Sequence, residues 1–121
     1  MQIAYWIVAA LLALFYAYAG GKKVLQSQDQ LRPMMAWVDQ LPMPLVRGIG
    51  VVELLGALGL LLPPMTGVAS PLAVAAAVGL VVLQIGAMAL HLSRGERKET
   101  GLNVTLIAVA AVAVWLGTTW L

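Results

Sequence analysis

The sequence predicts an all-α membrane protein, a four-transmembrane-helix antiparallel bundle, and three observations carry that reading. Apolar residues make up 62% of the 121 residues and charged ones only 10%, against roughly a quarter charged in soluble domains. The apolar residues collect in four stretches, at about 3–21, 46–62, 70–92 and 102–121, near the roughly 17–25 residues that span a bilayer. All seven Lys and Arg residues fall in the first and third connections between these stretches. A soluble domain this small cannot hide so much apolar surface, whereas lipid serves as its solvent. The whole chain, 1–121, is read as a single domain.

Each span has its own limits. The first begins at once, without a basic leader, so no cleavable signal peptide is expected; it stops at Gly20-Gly21-Lys22-Lys23. The second is short and closes at Pro63-Pro64. The third opens at Ser70-Pro71, read as a helix cap followed by proline at the first helical position. The fourth opens near Leu102-Asn103 and runs to Leu121. In the first connection Leu31, Met34, Met35, Val38 and Leu41 fall on one helical face, with Arg32, Asp39 and Gln40 off it and Pro42 and Pro44 ending the pattern. That spacing predicts a short amphipathic helix, lying on the membrane surface or tucked under the bundle as a buried connector.

Charge sets the orientation. Lys22, Lys23, Arg32 and Arg47 lie between spans one and two, and Arg94, Arg97 and Lys98 between spans three and four. Basic connections stay on the cytoplasmic side, so both termini are expected to face outward. Tyr5, Trp6, Trp115 and Trp120 then fall at the outer ends of spans one and four, as an interfacial belt would. The absence of cysteine excludes disulfide, thiolate–metal and thiol-redox chemistry within the chain, and no metal site is assigned. A net charge of +2 is too small and too local for nucleic-acid binding. Small residues such as Ala76, Gly79 and Gly117 suit helix contact with another copy.

Glu53 is the residue out of place. An ionised carboxylate near the centre of a spanning helix costs roughly 2.5–3.5 kcal/mol on insertion scales, so it needs a partner, a proton or a task. Lys23, Arg47, His91 and Asn103 mark the cytoplasmic ends of spans one to four. Tyr16, Glu53 and Gln84 lie six or seven residues deeper, about 9–10 Å at 1.5 Å per residue. Tyr16, Gly20 and Lys23 share one face of span one, and Gln84 and His91 one face of span three. Gly50 and Ala57 leave room beside Glu53, and Gly48, Val52, Gly56 and Gly59 form a neighbouring stripe suited to close contact. Each polar residue also has a plain structural reading: Lys23 and Arg47 snorkelling to headgroups, His91 at the interface, Gln84 in an interhelical bond, Tyr16 in packing. Glu53 is either an ionised clamp between spans or, unpaired, a proton carrier. The cations on its own side favour pairing.

The segments Ala19-Gly20-Gly21-Lys22-Lys23-Val24, Arg47-Gly48-Ile49-Gly50-Val51-Val52-Glu53-Leu54-Leu55-Gly56-Ala57, Leu60-Leu61-Leu62-Pro63 and Gly86-Ala87-Met88-Ala89-Leu90-His91-Leu92, with Asn103 opening the last span, resemble the DoxX-like family of small four-span bacterial membrane proteins. The resemblance covers nearly the whole chain. It implies the four-helix bundle, a bacterial cytoplasmic (inner) membrane, and Lys23 rather than Lys22 as the lysine that matters. Relatives are associated with thiosulfate–quinone oxidoreduction or with oxidative-stress complexes, and eukaryotic look-alikes with assembly of other membrane proteins.

Three functions follow as expectations. The first is a membrane subunit of a quinone-linked redox complex. In it Glu53 and His91 carry the proton chemistry, and Tyr16, Lys23, Arg47, Gln84 and Asn103 bind the ligand; quinone is the cofactor and a redox enzyme subunit the partner. The second is a non-catalytic membrane anchor or assembly factor that docks through the first connection. The third, a proton-coupled small transporter exchanging at Glu53, fits worst, because small four-span exporters keep their acid in the first span.

Overall fold

The computed structural model describes residues 2–33, 35, 38, 41–95 and 97–121, with the backbone alone for residues 97–100. Met34, Asp39 and Gln40 of the expected amphipathic segment, and the side chains of Arg97 and Lys98, lie outside the described residues. The elements are α1 (Gln2–Leu25), α2 (Gln28–Leu31), α3 (Met43–Thr66), α4 (Leu72–Ser93) and α5 (Arg97–Gly117), the last followed by a 3-10 turn at Thr118–Trp120. The four long helices are each apolar and long enough to cross a membrane. At 1.5 Å per residue α1 and α3, of 24 residues each, reach about 36 Å, enough for a hydrocarbon core of roughly 30 Å. Neighbours in the ring are α1–α3, α3–α4, α4–α5 and α5–α1. The ends that carry the first and third connections form what we call the basic end of the bundle.

The second span is not short. α3 runs through Pro63 and Pro64 to Thr66 and ends at Gly67, whose left-handed φ of 72° suits glycine. A proline inside a helix leaves the carbonyl four residues earlier without its donor. Here the carbonyl orphaned by Pro64 belongs to Leu60, and the Tyr5 hydroxyl donates to it at 2.6 Å. Tyr5 is therefore not part of an interfacial belt: it is fully buried and stacks edge-on against Trp6 and Trp120. Trp115 remains exposed. Tyr5→Phe should cost about 0.6–1.7 kcal/mol, the range measured for interhelical hydrogen bonds in a membrane protein. Reversible unfolding in mixed micelles measures it, and no loss would mean that the Leu60 carbonyl does not need this donor.

Ser70 does not cap α4 with its side chain. Its hydroxyl reaches back to the Pro63 carbonyl at 3.5 Å, while the backbone carbonyls of Ser70 and Pro71 accept from Ala73 and Val74. α1 likewise continues through Gly20-Gly21 to Leu25.

The first connection resolves as the buried connector. Among its described residues the α-helix is the one turn Gln28–Leu31, held by a reciprocal capping box between Ser27 and Gln30. Leu31, Met35 and Val38 turn inward with Val46 as a small second core. Of the small residues, Gly56 and Gly59 receive Leu80 and Ala76 of α4, while Gly48 faces open space. Gly117, expected on an outer face, is buried against Val74 and Tyr5. Ala76 is taken up by Gly59, and Gly79 keeps open space.

Candidate ligand-binding site

The site is assembled where α1 and α3 touch backbone to backbone. A Cβ placed on Gly20 would stand 2.7 Å from the Gly50 carbonyl oxygen, and one on Gly50 would stand 2.8 Å from the Gly20 oxygen. Only glycine allows that approach. Each glycine precedes a charged residue by three positions, Lys23 on α1 and Glu53 on α3. Side chains on a helix lean toward its own N-terminus. In this antiparallel pair Lys23 therefore leans away from the basic end and Glu53 toward it, and the two converge. Lys23 Nζ donates to Glu53 Oε1 at 2.5 Å, and both residues are buried. Glu53 is an interhelical ion pair.

Arg47 does something different. Its Nη1 donates to the carbonyl oxygens of Lys23 at 3.0 Å and Val24 at 2.5 Å. Those belong to the last turn of α1, where carbonyls lack intrahelical partners and a cation also meets the negative end of the helix dipole. Arg47 thus binds the end of α1 to the start of α3 from behind the ion pair, and its side chain does not line the cavity described next.

On the opposite side of the bundle Asn103 Nδ2 donates to Gln84 Oε1 at 2.8 Å, joining α5 to α4. The Asn103 Oδ1 atom and the Tyr16 hydroxyl are both buried without a hydrogen-bond partner among the described residues. Tyr16 lies near both the Gln84 amide and the Glu53 carboxylate, between the two polar pairs.

These residues surround a cavity of about 620 Å³ at the basic end of the bundle. Lys23, Glu53, Gln84, His91 and Asn103 line it, along with apolar side chains from all four long helices and with Met35 and Leu41 of the connector. Six of the seven residues picked out from the sequence thus meet around one place, five as cavity lining and Tyr16 just behind it. Met35 and Leu41, read from the sequence as part of an amphipathic face, also form part of the wall, as do Phe15 and Tyr18, which were not singled out from the sequence. An aromatic or apolar residue in an apolar span carries no signal of its own there. The Gly20–Gly50 contact did leave a trace, since each glycine stands three residues before a charge. Within the wall the ammonium and carboxylate cancel and the two amides satisfy one another in part. Such a surface receives a neutral polar head on an apolar body better than a free ion.

The sequence profile of the DoxX-like family matches residues 7–113, a stretch that includes every residue of the site. No curated protein and no solved structure matches the chain.

Proposed function

The chain belongs to the DoxX-like family, a multi-pass membrane protein with four candidate spans, and from that premise we propose that it is the membrane subunit of a quinone-linked redox complex. In this reading it lies in a bacterial cytoplasmic membrane with its basic end facing the cytoplasm and both termini outward. The observation that carries it is the cavity: mostly apolar, large enough for a ring and the first part of a tail, with its polar groups gathered in charge-compensated pairs. The residues present fit a quinone. The buried Tyr16 hydroxyl, which makes no hydrogen bond of ordinary geometry among the described residues, is a donor near the polar wall beside Gln84, and Gln84 and His91 add further hydrogen-bonding groups.

A bound quinone supplies a two-electron, two-proton couple. The electrons belong to a partner enzyme's cofactor. His91, half-buried at the basic end, takes protons from the aqueous side, and Glu53 takes one over from it only when it parts from Lys23. Lys23, Gln84 and Asn103 bind and orient the head, and Arg47 holds the helix that carries Lys23. The anchor reading is less well supported, because Leu31, Met35 and Val38, its docking face, turn into the bundle.

Quinone titration of the purified protein tests the proposal. A quinone-dependent rise in melting temperature is expected in the wild type. It should be lost in Ala87→Phe, which fills the cavity from α4 and leaves the polar pairs intact. No shift in the wild type would refute the quinone reading, and an equal shift in Ala87→Phe would place the quinone elsewhere.

A further inference from the structure

Four residues line the cavity and are also exposed: Tyr18 on α1, Val82 and Gly86 on α4, and Leu102 on α5. A residue that both lines the cavity and is exposed marks an edge where the cavity can meet the outside. None of the four belongs to a connection. Counted at 1.5 Å per residue, Leu102 stands about 7.5 Å, Tyr18 and Gly86 about 10 Å, and Val82 about 16 Å, from the basic ends of their helices. These helices exceed the hydrocarbon thickness by only a few ångströms, so those depths fall inside the hydrocarbon. The basic end, by contrast, carries the connector. Met35 and Leu41 form part of the cavity wall there, and Leu31, Met35 and Val38 pack on Val46 as an apolar layer.

We propose that the cavity is loaded sideways from the bilayer, through an opening framed by Tyr18 and Leu102 between α1 and α5, and that its ligand is therefore an amphiphile already dissolved in the membrane. α1 and α5 make the sparsest contact among the neighbouring long helices, which is where an opening disturbs the fold least. Tyr18 carries the Lys22 ammonium over its ring, 5.5 Å from the centroid. This keeps its polar tip and the cation together at the rim while the ring edges the apolar interior. A water-soluble metabolite would have to cross hydrocarbon to reach this opening. A quinone, or any neutral head on an apolar tail, is already there. The inference rests on the cavity being the ligand site and deepens the quinone reading by naming the route.

The chain has no cysteine, so single cysteines can carry a spin label without a background. A label at Ala87→Cys, on the cavity wall, is compared in vesicles with one at Leu14→Cys, on the exposed apolar face of α1, and one at Asp29→Cys, exposed in the first connection. Collisions with oxygen, which dissolves in lipid, and with a water-soluble nickel chelate are measured at each. The expected result is that Ala87→Cys follows Leu14→Cys: high oxygen access and low nickel access. Nickel access matching Asp29→Cys would overturn the proposal by showing entry from water. Low access to both would overturn it by showing a sealed cavity. Widening the side chain at the rim, Leu102→Trp, should lower oxygen access at position 87, and an unchanged value would remove the α1–α5 opening. Long-tailed quinone in the same vesicles should also lower oxygen access at position 87. If it does not, while the access pattern holds, the quinone reading fails and the sideways route stands.

Discussion

Lys23→Ala is expected to destabilise the protein by about 3–5 kcal/mol, the loss typical when one member of a buried ion pair is removed. The carboxylate it leaves behind sits deep on α3 and has no length of chain with which to reach the surface. Glu53→Ala should cost less, although it breaks the same 2.5 Å contact. Lys23 stands near the basic end of α1, and its ammonium can swing back to the headgroups once the carboxylate is gone. Lys23→Met combined with Glu53→Leu should recover most of the loss, because the penalty comes from the stranded charge rather than the missing bond. Unfolding in mixed micelles ranks the three variants. Equal losses in both single variants and the double variant would show that the pair is not what holds α1 to α3.

Gly50→Val is expected to have the next largest effect. The added carbon would lie 2.8 Å from the Gly20 carbonyl oxygen and 2.8 Å from the Lys23 Cβ, and neither is the far end of a flexible chain. Overpacking of this kind costs about 1–3 kcal/mol. The helices can relieve it only by separating, which also pulls Lys23 from Glu53. Gly48→Ala, two residues earlier and facing open space, should fall within about 0.5 kcal/mol of the wild type. Quinone-dependent stabilisation should disappear in Gly50→Val and persist in Gly48→Ala. A folded Gly50→Val protein with undiminished stability would mean that the close approach of α1 and α3 is not required.

The four spans and the gathering of polar residues at one end were legible because they depend on composition and helical phase, which are local. That Glu53 takes a cationic partner was legible for a related reason, since several cations lie on its own side, but the choice of Lys23 over Arg47 and His91 depends on how α1 crosses α3. What escaped the sequence depends on residues far apart in the chain. Pro63-Pro64 looks like a stop because the donor that rescues the Leu60 carbonyl comes from Tyr5, 55 residues earlier. Tyr5 itself looks interfacial because a tyrosine at a span end most often is. Arg47 looks like a ligand residue, yet its guanidinium is committed to the carbonyls of α1, a destination set by the crossing of two helices. The pairing of Gln84 with Asn103 also needed the α4–α5 packing, because residues of either type could have served alone.

The Lys23–Glu53 pair and the Arg47 contacts bear on how the chain enters the bilayer during synthesis. α1 is made first, with Lys23 lacking its carboxylate and its last carbonyls still waiting for Arg47. α3 follows with an acid that is costly to place in hydrocarbon by itself. Inserted one after the other, each helix carries its own uncompensated groups. Inserted together as a hairpin, they arrive already neutralised and capped, with the connector short enough to keep them side by side. The order of the charges along the chain thus favours delivery of the first two spans as one unit, ahead of α4 and α5.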